Sequence, residues 1–172
     1  MNGGSPTDTP ALGRDGFERQ PFLATHRALA ACNRELGRLM DEVIDRVGAL
    51  APAALAEKPV VRQLPERCIV QFGPVALTLA WLRGGMGSVA EGELLVIVWR
   101  GIVARPNGFK PERLGSAAGA HAATSLWEQV LHPAAETEAD WSWRGTDGDG
   151  CSSVELAARC VGQLHSALEA AA

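Results

Sequence analysis

The sequence predicts an α+β fold: an antiparallel β-meander of about four to five strands, flanked by a long N-terminal helix, a middle helix and a C-terminal helix. Three features point there. Apolar segments at 67–73, 75–83 and 93–104 are joined by turn signals. Leu29, Cys32, Leu36, Leu39, Val43, Val47 and Leu50 recur at spacings of three and four, the period of an amphipathic helix. Ser152 and Glu155 form a capping-box pattern ahead of a second stripe, Val154, Ala157, Ala158, Val161, Leu164 and Leu168, in which each capping side chain satisfies a backbone donor at the helix start.

The elements follow in order. Residues 1–20 are rich in Gly, Pro, Thr and Asp and read as a disordered tail, because such a segment buries too little apolar surface to offset its ordering. Residues 21–172 then form a single domain, long enough for a sizeable core. The first helix is expected over 24–50. Thr25 is its candidate N-cap and Glu42 pairs with Arg46 one turn on. Pro52 should end it, since a proline clashes with the preceding turn. The stripe suits packing on the chain's own sheet or on a second copy of itself.

Val60 to Gln63 is a short extra strand ahead of the meander. Gly73-Pro74 suits a tight turn. It sets Phe72 opposite Val75, Val70 opposite Leu77 and Cys68 opposite Leu79. A longer loop begins at Gly84. Pairing Arg83 with Glu93 then sets Trp81 opposite Leu95, Leu79 opposite Ile97 and Leu77 opposite Trp99. The two-residue period of a strand sorts these side chains into two faces. The main core face holds Cys68, Val70, Phe72, Val75, Leu77, Leu79, Trp81, Leu95, Ile97 and Trp99. The second holds Ile69, Gln71, Ala76, Thr78, Ala80, Leu82, Leu94, Val96, Val98 and Arg100. Both are too apolar for free exposure, so something must cover each.

The region 108–131 reads two ways. Leu114, Ala118, Ala122, Leu126 and Val130 recur every four residues, but Gly115 and Gly119 weaken a helix. A helix is expected over the Ala-rich half. The alternative for the second half is a strand, Ser125 to Leu131, paired with Asp140 to Arg144. His132-Pro133 should end whichever element precedes it. Trp141 and Trp143 share a face of a short strand, and 145–150 is a polar turn before the last helix.

Composition removes several function classes. The 172 residues carry a net charge of −4, with no basic cluster, so a phosphate-tracking nucleic-acid surface is not expected. No apolar run is long enough to span a membrane. No cationic start leads into an apolar core within 1–20, so no secretory signal is expected and the protein is placed in the cytoplasm. Cys32, Cys68, Cys151 and Cys160 form no CxxC pair and are expected as reduced thiols. Cys32 and Cys68 fall on core faces, and Cys151 is expected to be the accessible one. The rich Ala, Gly and Arg usage has a bacterial character.

The remaining motifs fail on context. Residues 85–90 fit GxGxxA, but a strand follows at once, with no helix N-terminus to meet a pyrophosphate. Asp147-Gly148-Asp149-Gly150 resembles the start of a calcium loop, yet its sixth and twelfth positions are Ser152 and Ala158, where Gly and Glu are required. His26, His121, His132 and His165 show no zinc-ligand spacing. No catalytic residue, metal site or cofactor is expected. Trp99, Trp141, Trp143 and Arg100 are the candidate ligand- or partner-binding residues. Tryptophan supplies a large apolar area and one N–H donor, and an arginine among apolar neighbours calls for a partner. The functional reading is therefore a non-catalytic protein-interaction or adaptor domain, self-associating as a homodimer or binding a protein partner through an apolar sheet face or the N-terminal helix. The alternative is a small-ligand binder or enzyme with a Trp-lined pocket between sheet and helices.

Overall fold

The structure, a computed structural model, describes residues 20–54, 58–104 and 122–171. The expected tail and the expected middle helix lie outside these residues, apart from Gln20 and the 122–131 stretch discussed below. Helix α1 (His26–Ala54) is followed by strands β1 (Val60–Leu64), β2 (Arg67–Phe72), β3 (Val75–Leu82), β4 (Glu93–Arg100), β5 (Thr124–Ala134), β6 (Ser142–Arg144) and β7 (Gly150–Cys151), then by helix α2 (Ser153–Glu169). The strands form one antiparallel sheet in sequence order, β1 to β7. The fold is thus α+β, with seven strands rather than four or five and two helices among the described residues.

Both helices form where their stripes and caps place them. Thr25 Oγ1 accepts the Ala28 backbone N–H at 3.2 Å. Ala28, Cys32, Leu36, Leu39, Met40, Val43 and Val47 are almost fully buried along one side of α1. The helix passes Pro52 and runs to Ala54. The proline forfeits the single N–H bond to the carbonyl four residues back, and only Ala53 and Ala54 follow it in the helix. At α2 the capping box is complete: Ser152 accepts the Glu155 N–H, and Glu155 accepts the Ser152 N–H at 2.8 Å. Its buried stripe is centred on Leu156, Cys160 and Leu164, with Ala158 exposed.

The two helices pack on each other, and α2 also packs on β3, β4 and β6. One cluster joins them to a single sheet face: Cys68, Val70, Phe72, Val75, Leu77, Leu79, Trp81, Leu94, Val96, Val98 and Leu131. At about 2–3 kcal/mol for each fully buried large side chain, this face holds the domain together.

The β2–β3 register matches the expectation residue for residue, with Gly73 at φ 56° in the turn. The β3–β4 register does not. Leu82, not Arg83, pairs with Glu93, so Trp81 lies opposite Leu94, Leu79 opposite Val96 and Leu77 opposite Val98. A one-residue slip moves every side chain of a strand to the other face. Leu95, Ile97 and Trp99 therefore leave the core face, and Leu94, Val96 and Val98 enter it. The connection 83–92 is too long to dictate register, and β4 is apolar on both sides, so its own pattern does not choose. A close fit at the loop's end does: a Cβ at Gly92 would fall 2.2 Å from the Trp81 ring.

The stretch 124–134 is strand, as the alternative reading had it, but 124–131 pairs with β4 and only 132–134 pairs with β6, so the expected pairing of 125–131 with 140–144 is not formed. It also continues through His132-Pro133 to Ala134. Pairing with β4 stops at Leu131. At Pro133 the strand has a neighbour on one side only, the edge-like setting where a proline is tolerated. No helix among the described residues is long and apolar enough to cross a membrane.

Candidate functional site

The register leaves a second sheet face that takes no part in the helix-packed cluster. Its side chains line up in rows across five strands. One row runs Arg62, Ile69, Thr78, Ile97, Glu128. The next runs Leu64, Arg67, Ala80, Leu95, Val130. A third runs Val60, Gln71, Ala76, Trp99, Ser125.

These rows grade from closed to open. At the Gln71 end the chain folds over the sheet. The buried Gln71 carboxamide donates to the carbonyls of Gly73, Val75 and Gly101 and accepts the N–H groups of Val103 and Ala104, at 2.8 and 3.2 Å. Every polar atom of that amide is satisfied, so it fixes the chain leaving β4 across the face. Trp99 stands beside it, half-buried, with its indole N–H donated to Thr78 Oγ1 at 3.0 Å. Away from that end the face opens. Ile69, Leu95 and Val130 are half-buried. Leu82 at the strand end is 45% exposed and Leu64 on the edge strand is 63% exposed. A hollow of about 510 Å³ lies there, lined in part by Leu64, Pro65, Arg67 and Ala80. A second hollow, about 540 Å³, lies across the same β1–β2 turn against Asn33, Gly37 and Met40 of α1. Glu66 and Arg83 pair beside both.

The structure separates the four sequence-predicted site residues. Trp99 is on the second face. Trp141 and Trp143 are in the core, with ring centroids 5.6 Å apart, and Trp81 lies 6.0 Å from Trp143, both pairs edge-to-face. Neither hollow is lined by Trp99, Trp141 or Trp143. Arg100 ends β4, exposed, opposite Val75. It shares the parity of Val96 and Val98 and so moves with them to the helix-packed side, at the exposed end of the strand and not mid-strand on the second face.

A polar chain threads the Trp cluster. Trp143 Nε1 donates to Ser153 Oγ at 3.0 Å, and Ser153 Oγ donates to Glu35 Oε2 at 2.9 Å. Glu35 also lies 3.6 Å from Arg34. Ser153 is 2% exposed, and its hydroxyl is held between the Trp143 indole and the Glu35 carboxylate, so the three side chains form a polar network within the packing. The N–H of Trp141 is buried without a partner.

The cysteines are equally closed. All four are free and buried, Cys151 included, which reverses the expectation that it is accessible. Its thiol lies 3.6 Å from the Trp143 carbonyl. Burial pushes Cys32 and Cys160 up to about 12 and Cys68 up to about 11, the opposite of what a reactive thiolate needs. Among the described residues no three His, Cys, Asp or Glu side chains come together as a metal site would require. The sequence reading missed Leu64, Leu95 and Ile97 as second-face residues; β4 is apolar on both sides, so its pattern carried no signal for the latter two. Comparison with protein-family models, curated proteins and solved structures gave no match.

Proposed function

We propose that this chain is a non-catalytic protein-interaction domain that self-associates through its second sheet face. One observation carries the reading. Five strands present apolar side chains on a face that neither helix covers, and Leu64 and Leu82 stand well out of it. Large exposed apolar patches mark docking sites more often than idle surface. The alternative route, through the N-terminal helix, has less support, because the α1 stripe is spent inside the chain's own core. The ligand-pocket reading also has less, since Trp99 lies on the opposite side of the sheet from the Trp141–Trp143 pair. Four free, buried cysteines suit the cytoplasmic placement, as a reducing compartment favours free thiols.

The test is solution mass measured across a wide concentration range for the wild type and for Leu95→Glu. The wild type should assemble as concentration rises. The variant should stay monomeric and folded, because its side chain is half-buried on the second face and not in the core. A wild type that is monomeric throughout would remove the reading.

A further inference from the structure

The strand order puts β1 at one edge of the sheet, paired on one side only. Its backbone directions follow from the register. The short Gly73-Pro74 turn makes Phe72 and Val75 a hydrogen-bonded pair, and the Trp81 N–H donates to the Glu66 carbonyl at 2.8 Å. Hydrogen-bonded and non-bonded pairs alternate along an antiparallel ladder. Arg67, Ile69 and Gln71 of β2 therefore turn their N–H and C=O groups toward β1, where Leu64, Arg62 and Val60 lie opposite. Val61 and Gln63 point theirs the other way, out of the sheet.

This edge lacks the usual protection. Proteins blunt an edge strand with lysine, an internal proline or a bulge. Residues 60–64 contain no lysine or proline, and their pairing with β2 runs without a shift. The one charged residue, Arg62, is already engaged within the chain. Val61 and Leu64 are 36% and 63% exposed, and Gln63 between them is exposed too. The hollow of about 540 Å³ lies beside Gln63 and Leu64, with Asn33, Gly37 and Met40 of α1 as its far wall. A Cβ at Gly37 would meet nothing within 4 Å. No contact inside the chain accounts for that bare stretch of helix, although glycine weakens a helix.

We infer that an extended segment of a partner protein adds to this edge as a further strand, antiparallel to β1, in the groove between β1 and α1. It requires no self-association. Open main-chain donors and acceptors select a polypeptide backbone, and pockets for alternate side chains then set the preference. Val61 and Gln63 each exchange both hydrogen bonds with the incoming strand. Residues directly opposite one another share a sheet face. The side chain opposite Gln63 therefore lies on the helix side, at the hollow, and the one opposite Leu64 packs on that exposed leucine. The segment carries apolar residues opposite Val61 and Leu64, and no proline where it faces Val61 and Gln63.

A second copy of β1 fits this edge less well. Paired about Arg62, it sets two arginines directly opposite, and like charges so placed are destabilising. Paired about Val61, it sets Gln63 against Pro59, which has no N–H. Paired about Gln63, it sets Val61 against Pro65, beyond the end of the strand.

The probe is a displayed library of random peptides about ten residues long, selected on the full chain. In amide exchange followed by NMR, Val61 and Gln63 should exchange fast in the free chain and slowly with a selected peptide bound. Arg62 and Leu64 should be protected in both states. Gln63→Pro should weaken peptide binding by about tenfold and keep the fold, because an edge strand tolerates proline where its N–H faces out. Gly37→Leu should place a side chain in the hollow and weaken binding similarly, with the fold intact. Methylating the peptide amides that face β1 should abolish binding, and methylating the alternate amides should not. Three results would each overturn the inference: a library yielding no peptide that protects Val61 and Gln63, methylation effects that show no alternation, or a wild-type dimer that Gln63→Pro dissociates, which would give the edge to a second copy.

Discussion

The two faces of this sheet are built from nearly the same residue types, and they differ in what lies above them. On one, Leu77, Leu79, Leu94 and Val96 are fully buried beneath α1 and α2. On the other, Ala76, Thr78, Ala80 and Leu95 occupy equivalent positions on the same strands, with Trp99 laid partly across them. The core face is closed by large side chains from two helices. The second face uses small residues on its central strand and large ones toward its margins; Ala76, Ala80 and Ile97 are buried there, while Leu64 and Leu82 at its margins stand exposed. Hydropathy alone does not tell core from docking surface; the register and the partner element do.

Substitutions on the two faces should therefore separate by size of effect. Leu77→Ala, in the closed face, should cost about 3 kcal/mol in denaturant unfolding, from lost transfer energy and the cavity left behind. Gly92→Ala should cost about 2 kcal/mol, because its Cβ would meet the Trp81 ring at 2.2 Å and force the ring to shift. Ser153→Ala should cost about 1–2 kcal/mol, since it strands the Trp143 N–H and removes the hydroxyl that Glu35 accepts from. Leu82→Ser, on the open face, should change monomer stability by less than about 0.5 kcal/mol while weakening assembly. A large loss of monomer stability at Leu82 would mean that the second face is a core after all.

A smaller effect follows from the thiols. Their folded-state values are raised, so the folded chain holds these protons more tightly than the unfolded one. The associated stability is complete below the ordinary thiol range near 9 and is lost as pH rises toward 11–12. With no tyrosine in the chain, phenol ionisation does not obscure that window. Denaturation midpoints should fall between pH 8 and pH 10.5. A midpoint that holds or rises would contradict closed packing at Cys32, Cys68 and Cys160.

How much of this was legible in the sequence depends on how each feature is encoded. The capping box, the Thr25 cap, the α1 stripe and the β2–β3 hairpin are local, and each was readable from residues a few positions apart. The tight Gly73-Pro74 turn set its register because a short turn leaves no slack. The β3–β4 register is set by a contact between Gly92 and Trp81, eleven positions apart, and by an indole reaching from Trp99 to Thr78. Neither has a periodic signature. For that reason Trp99, grouped in the sequence with the core face, belongs to the candidate site, while Arg100 moves with Val96 and Val98 to the helix side, at the exposed end of its strand. Strand β5 was obscured by the alanine-rich run that precedes it in the sequence and by Pro133, whose tolerance depends on where β4 stops.

The most direct test of the docking face is hydroxyl-radical footprinting of side chains at low and high protein concentration. Leu64, Leu82, Leu95 and Trp99 should label readily when dilute and become protected on concentration, while Leu77 stays unlabelled throughout. Labelling of those four residues that does not change across a range in which the mass rises would place the interface elsewhere and contradict the role assigned to the second face.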